Sequence, residues 1–182
     1  VNDSASTGES TNVTPQNQKL IRTIRLSAET EDMDVLLSQV EKRIGELNGY
    51  VEAREIYNGS MYNSKRYRNA NLTIRVPAKA VEQFTEEVSG IANVVRKQTS
   101  KKDVTLSYVD TESRKKALET EEARLLELMA QAETMSDLLE IEARLTDVRY
   151  ELESVTSQLR SYDNLVSFAT IYLNIEEVKE YT

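Results

Sequence analysis

The segment Thr23-Ile24-Arg25-Leu26-Ser27-Ala28 alternates polar and apolar side chains, which predicts a strand with one wet face. Glu29, Glu31, Asp32 and Asp34 follow and supply the negative charge that favours a helix N-terminus. Leu36, Val40, Ile44 and Leu47 then recur at three or four residues, and Gly49 is placed to stop that helix. A second strand is expected over about 50–57, after which Asn58-Gly59 opens a polar connection. Ala70, Leu72, Ile74 and Val76 alternate with Asn71, Thr73 and Arg75 as a third strand. Pro77 ends it where a helix can begin, and Val81, Phe84, Val88 and Ile91 mark that helix. A fourth strand is expected over about 93–99. The order βαββαβ predicts a split-βαβ, ferredoxin-like layer.

The period then changes. Leu138, Ile141, Leu145, Val148, Leu152, Val155, Leu159, Tyr162 and Val166 step alternately by three and four, an unbroken heptad seam. Upstream, Tyr108, Thr111, Lys115, Leu118, Glu122, Leu125, Met129 and Ala132 follow the same step less purely. No Pro or Gly interrupts residues 107–167, and Asp137 with Glu140 forms a capping-box pattern at the start of the second run. Two antiparallel helices joined by a short turn are expected, each about 40 Å long at 1.5 Å per residue. Their seam must offset the ordering of the backbone at about 1–2 kcal/mol per residue. The margin is thin, and a partner helix or a second hairpin would relieve it. Ala169, Ile171, Leu173 and Ile175 share one face of a last strand.

The fold class that follows is α+β, a ferredoxin-like βαββαβ base with a long antiparallel two-helix coiled-coil hairpin inserted before a final strand. Residues 1–18 are small and polar and read as a disordered linker. The base begins in 19–107, the hairpin occupies 108–165, and 166–182 return to the base and a tail.

Charge sharpens this division. Residues 1–104 hold 15 basic and 14 acidic side chains, whereas 105–182 hold 8 basic and 17 acidic. The net charge of −8 therefore belongs to the hairpin part, which argues against a nucleic-acid partner. With no Cys and no His there is no zinc finger, thiolate nucleophile, disulfide or imidazole base. With 5 Gly there is no phosphate cradle of the glycine-rich kind. No apolar run approaches the ~18 residues of a membrane span. No cofactor is expected. The chain opens on Val1, which suggests a fragment or processed form, with any anchor outside it.

Tyr50, Tyr57, Tyr62 and Tyr67 interleave with Arg54, Lys65, Arg66 and Arg68. Aromatic faces among cations can bind glycans, anionic polymers or lipid head groups. The candidate ligand site is Tyr57, Tyr62, Arg66, Tyr67 and Arg68; the plain alternative is a two-stranded ribbon whose Tyr residues cover a pleated face. Glu119, Glu121, Glu122, Asp147, Glu151 and Glu153 crowd the hairpin, where a solvated helix face explains them better than a Ca²⁺ site. Ser64 or Ser100 beside Lys65 or Lys101 is a weak Ser–Lys motif, since sequence adjacency is not geometry. The hairpin seam (Leu118, Leu125, Leu138, Ile141, Leu145, Val148, Leu152, Val155 and Leu159) is the stronger feature.

Asp103-Val104-Thr105, Tyr108-Val109-Asp110, Arg114, Glu122 and Leu125 begin a run of specific matches. Asp137-Leu138-Leu139, Ile141-Glu142, Leu145, Val148-Arg149, Glu151, Glu153 and Ala169-Thr170-Ile171 continue it. Across about 19–178 the chain resembles the bacterial envelope proteins grouped as domain of unknown function 4349. It departs from the family's usual Gly pair at Asn48-Gly49 and carries Ala169 in a Ser place. The resemblance implies an exported protein, usually an N-terminal lipoprotein, often with a transmembrane helix after the domain. The family has no established activity, so it carries over no catalytic residue. The expected function is a non-enzymatic, membrane-anchored extracytoplasmic module that docks a protein partner, or itself, through the hairpin. The alternative is a binding module for wall glycan, anionic lipid or a small ligand at 50–68.

Overall fold

A computed structural model describes residues 18–59 and 68–179. All but the last residue of the expected linker, and the centre of the Tyr/Arg ribbon, lie outside the described residues. The elements are β1 (Leu20–Thr30), α1 (Met33–Glu46), β2 (Tyr50–Tyr57), β3 (Asn69–Pro77) and α2 (Val81–Ile91), followed by β4 (Asn93–Asp103), α3 (Thr105–Gln131), α4 (Met135–Ser167) and β5 (Phe168–Glu177). A single 3₁₀ turn, Ala78–Ala80, leads from Pro77 into α2. The fold is mixed α+β. It has one five-stranded mixed sheet in the order β2-β3-β5-β1-β4 and four helices among the described residues. β5 runs parallel to β1 and antiparallel to β3, and the two outer pairs are antiparallel.

Alternation decides which face is covered. Leu26 of β1, Leu72 and Ile74 of β3, and Ile171 and Leu173 of β5 point to one side and are buried against α1 and α2. Met33, Leu36, Val40 and Ile44 of α1 and Phe84 and Val88 of α2 complete that core, with Phe84 at 0% exposure. The opposite face carries Arg25, Ser27, Asn71, Thr73, Tyr172 and Asn174, which line a shallow polar hollow. Asn174 donates to Asn71 at 2.6 Å.

Helix α1 starts as expected, with the Asp32 carboxylate accepting from the Val35 amide at 3.1 Å. Its end differs from the expectation. Asn48, not Gly49, takes the left-handed backbone at φ 61°. The Asn48 and Gly49 amides donate to the Gly45 and Ile44 carbonyls, a Schellman closure. Gly49 is required for a different reason. A Cβ there would lie 2.6 Å from the Arg75 carbonyl oxygen and 2.8 Å from Val76.

β4 also runs further than the sequence suggests, to Asp103. It is an edge strand exposed from Val95 onward, so it needs no apolar alternation. The start of α4 is shifted as well. Thr134 is the N-cap and its hydroxyl accepts from the Asp137 amide at 3.1 Å, so Asp137 sits inside the first turn.

The sheet explains how the hairpin can be attached. β4 and β5 flank β1 on either side, and β4 ends and β5 begins at the same end of β1. Two strand spacings are about 9.6 Å. That matches the 8–10 Å between the axes of packed helices, so both stems leave the sheet already at helix-pairing distance.

Candidate functional site

The α3–α4 pair is the feature that sequence and structure together single out. Leu118, Leu145, Val148, Val155 and Leu159 are buried between the helices, and Leu125, Leu138, Ile141 and Leu152 are half-buried. Leu118, Val148 and Val155 form a small core of their own, with Leu125 and Leu152 packed on it. The polar residues of the weaker seam lie at its rim. Arg149 Nε donates to Glu122 at 3.4 Å, and Lys115 stands 4.0 Å from Glu119. Arg144 Nε donates to Glu121 at 2.7 Å, and Arg114 stands 3.9 Å from Glu151. The antiparallel order of these partners fixes the register of the two helices. Arg114, Glu122, Arg149 and Glu151, which carried the family resemblance, thus meet in pairs across the hairpin.

The root is held more firmly. The Asp103 carboxylate accepts from both the amide and the hydroxyl of Thr105, which lowers its pKa from the usual carboxylate value. The Lys19 amide donates to the Thr105 hydroxyl at 2.9 Å, and the Val104 amide returns to the Lys19 carbonyl at 2.8 Å. Tyr108 donates to Asp163 at 2.8 Å, packs edge-on against Tyr162, and lies under the Lys19 ammonium. That hydrogen bond, then partial burial, then the Asp163 and Glu112 charges push the Tyr108 pKa up.

Arg75 completes the root, and sequence reasoning missed it. It stands on the polar face of β3 yet is only 4% exposed. Its Nη2 donates to the carbonyls of Asn164 and Phe168 at 3.2 and 3.1 Å, at the C-terminus of α4. A cation there is favoured by the helix dipole. Nη1 is 4.0 Å from Glu52, the residue left unpaired where the β2–β3 register shifts. Among the described residues Arg75 Nε has no hydrogen-bond partner. Tyr50 and Phe168 close the same corner ring to ring at 5.7 Å.

The Tyr/Arg site is only partly placed. Tyr57 ends β2 at 52% exposure, and Tyr62, Arg66 and Tyr67 lie outside the described residues. Arg68 is engaged elsewhere, with a two-armed bond to the Asp34 carboxylate at 2.9 and 3.1 Å and Glu177 at 3.7 Å. The hydrogen bond and charge of Asp34 raise the Arg68 pKa, and Arg68 lowers that of Asp34. Ser100 and Lys101, as strand neighbours on β4, point to opposite faces, which separates that Ser–Lys motif. Ser64 and Lys65 lie outside the described residues.

Among the described residues no cluster of three or more His, Cys, Asp or Glu could hold a metal ion. Among the same residues no helix is long and apolar enough to cross a membrane.

These elements define a mixed α+β domain that carries a paired-helix insertion between its last two strands. The family model for the Domain of unknown function (DUF4349) matches residues 18–182, and the chain belongs to that family. Comparisons with curated proteins and with solved structures return no match.

Proposed function

We propose that the chain is a non-enzymatic extracytoplasmic module of a bacterial envelope protein, anchored to the membrane outside these residues. It docks a protein partner through the hairpin. In this reading the base is a ferredoxin-like βαββαβ layer whose central strand pair is parted by β5, and the hairpin is a short antiparallel coiled coil. The base is the platform and the hairpin is the arm.

The observation that carries the reading is the state of the arm. It is rooted firmly at Arg75, Thr105 and Tyr108, but along its length it presents apolar side chains to solvent. Leu126 is 42% exposed, Met135 69%, Leu139 57% and Tyr150 77%. A two-helix rod with one narrow enclosed seam gains from a third helix laid along it. For the Tyr/Arg ribbon, the described residues offer Tyr57 alone as a free group.

The test is a photocrosslinking residue placed at Leu139, at Tyr150 and at Val35 of the anchored protein in cells. Val35 is a comparably exposed position on the base, at 51%. Capture of a protein from the two hairpin positions and not from Val35 is the expected result. Capture from Val35 alone, or equally from all three, defeats the proposal.

A further inference from the structure

Two regions of opposite charge lie at opposite ends of this molecule. The first is the β1–β4 edge. β4 carries Arg96, Lys97, Lys101 and Lys102, and on β1 Arg22 pairs in register with Lys101 and Arg25 with Gln98; Arg22, Lys97 and Lys101 lie on the α2 side and Arg25, Arg96 and Lys102 on the other, so the cations line the edge from both faces. Among the described residues none of these cations forms an ion pair. Arg25 stacks on Tyr172 at 4.4 Å, and Glu82 and Glu86 of α2 share a cleft with Arg22, Lys97 and Lys101. Lysines on an edge strand block the addition of a further strand. That accounts for a lysine or two on β4, but not for all four of its cations.

The second region is the hairpin tip. Between Leu125 and Ala143 there are five acidic residues and no basic one. Glu127 pairs with Arg124, whereas Glu133, Asp137, Glu140 and Glu142 have no ion-pair partner among the described residues. Met135 and Leu139 are exposed at the same end.

The tip cannot reach its own edge. β4 ends at Asp103, where the 27 residues of α3 begin, and a helix of that length carries the tip about 40 Å away. Hydrogen bonds and ion pairs from Thr111 to Leu159 stay within the hairpin among the described residues. An edge that fits the tip is therefore available only on another molecule.

We propose that the acidic tip of one molecule's hairpin docks on the basic β1–β4 edge of a second copy. The proposal rests on the reading of the hairpin as a docking arm and names its partner. The contact is head-to-tail: each copy offers a tip and an edge, so copies join in series. Charge steers the encounter, and Met135 and Leu139 supply apolar contact once the surfaces meet.

Sedimentation velocity of the whole chain tests this. The Debye length is about 30 Å at 0.01 M salt and about 3 Å at 1 M. Association is expected at low salt and is expected to weaken at least about tenfold between about 0.02 and about 0.5 M. Arg96→Glu with Lys97→Glu, Lys101→Glu and Lys102→Glu reverses the edge, and Glu133→Lys with Asp137→Lys and Glu140→Lys reverses the tip. Each variant alone is expected to be monomeric at low salt. Their mixture is expected to associate, because each tip then meets an edge of opposite sign. Circular dichroism confirms the fold of each variant, and the salt series on the unaltered chain needs no variant.

A monomer at low salt overturns the proposal. So does association that survives edge reversal, which would mean hairpin-to-hairpin pairing. So does a folded pair of variants that fails to associate on mixing, or binding of the monomer to anionic lipid vesicles in place of itself. Hairpin crosslinks to a different protein would leave the docking reading standing and remove only the second copy as partner.

Discussion

The base and the hairpin enclose their apolar residues to very different depths. In the base, residues from three strands and two helices form one core of wholly buried side chains, including Leu26, Leu36, Val40, Leu72, Ile74, Phe84, Ile171 and Leu173. In the hairpin the separate core consists of Leu118, Val148 and Val155. Two layers enclose a side chain from several directions, whereas two rods enclose it along a line. The hairpin adds rim ion pairs such as Arg144–Glu121 and Arg149–Glu122, but exposed pairs contribute little, so the difference in depth remains. The lesson is an order of dependence. β5 lies in the middle of the sheet but follows the hairpin in sequence, so the base needs the chain to pass through the hairpin, though not to be helical there.

The sharpest way to break the comparison is to melt the arm alone. Leu145→Asp with Leu152→Asp puts two carboxylates into the seam, where Leu145 is 5% exposed, and burying an unpaired charge is prohibitive. α3 and α4 hold 27 and 33 residues, against 14 in α1 and 11 in α2. More than half of the helical circular dichroism should disappear while amide exchange in β1, β3 and β5 stays protected. A long flexible loop between β4 and β5 is tolerable because closure entropy grows slowly with length. Undiminished helix would show that the seam does not hold the arm together.

The converse substitution is Phe84→Ala, in the base. Emptying a wholly buried Phe position typically costs about 3–5 kcal/mol. The arm should be lost together with the base, since both its stems spring from the sheet. Chemical denaturation followed separately in base and hairpin amides should give one shared, lowered midpoint. A hairpin that outlived the base would reverse the order of dependence.

How far this contrast is legible in the sequence varies with the element. Alternation in β1, β3 and β5 is legible because each strand buries one face against helices, as Ile24, Leu26 and Ala28 do. The seam is legible for the same reason at a longer period. β4 beyond residue 99 is not, because an edge strand exposed on both faces places no demand on residue type. The central place of β5 is not legible either, since its apolar face would suit several neighbours. Arg75 alternates with the strand's apolar residues just as Asn71 and Thr73 do, and only the approach of α4 separates it from them. The cations of β4 are visible in sequence, but the near-neutral balance of residues 1–104 conceals them.

Arg75 joins the two regions, and Arg75→Ala tests the joint. The Asn164 and Phe168 carbonyls would lose their donor in a partly buried corner, a loss of about 1–3 kcal/mol. The expected change is local. The last turn of α4 should exchange faster, while Leu145 and Phe84 and their neighbours keep their protection. Met in place of Arg75 should recover packing but not the carbonyl bonds, so Arg75→Met should still show the faster exchange. Full protection in both variants would remove Arg75 from the joint.

The finest distinction between the regions is their response to alkaline pH, since Asp103 at the root is depressed as the carboxylates of the base are. In the base, Arg68 holds the Asp34 pKa below its ordinary 3.8, and Arg43 holds that of Glu87 below 4.5. A carboxylate whose pKa is depressed by folding stabilises the fold above its ordinary value, and that contribution is lost as pH falls through the folded value. At the root of the arm, the bond to Asp163 holds the Tyr108 pKa above its ordinary 10.0. The sign is opposite. The contribution of Tyr108 is complete below pH 10.0 and is lost as pH rises through the folded value. These groups are largely in solvent, so screening keeps the effects small. Melting curves across pH should show Tyr108→Phe flattening the alkaline limb alone and Asp34→Asn flattening the acid limb alone. If Tyr108→Phe left the alkaline limb unchanged, the root would be held by Asp103 and Thr105, and Tyr108 would be a bystander to the joint.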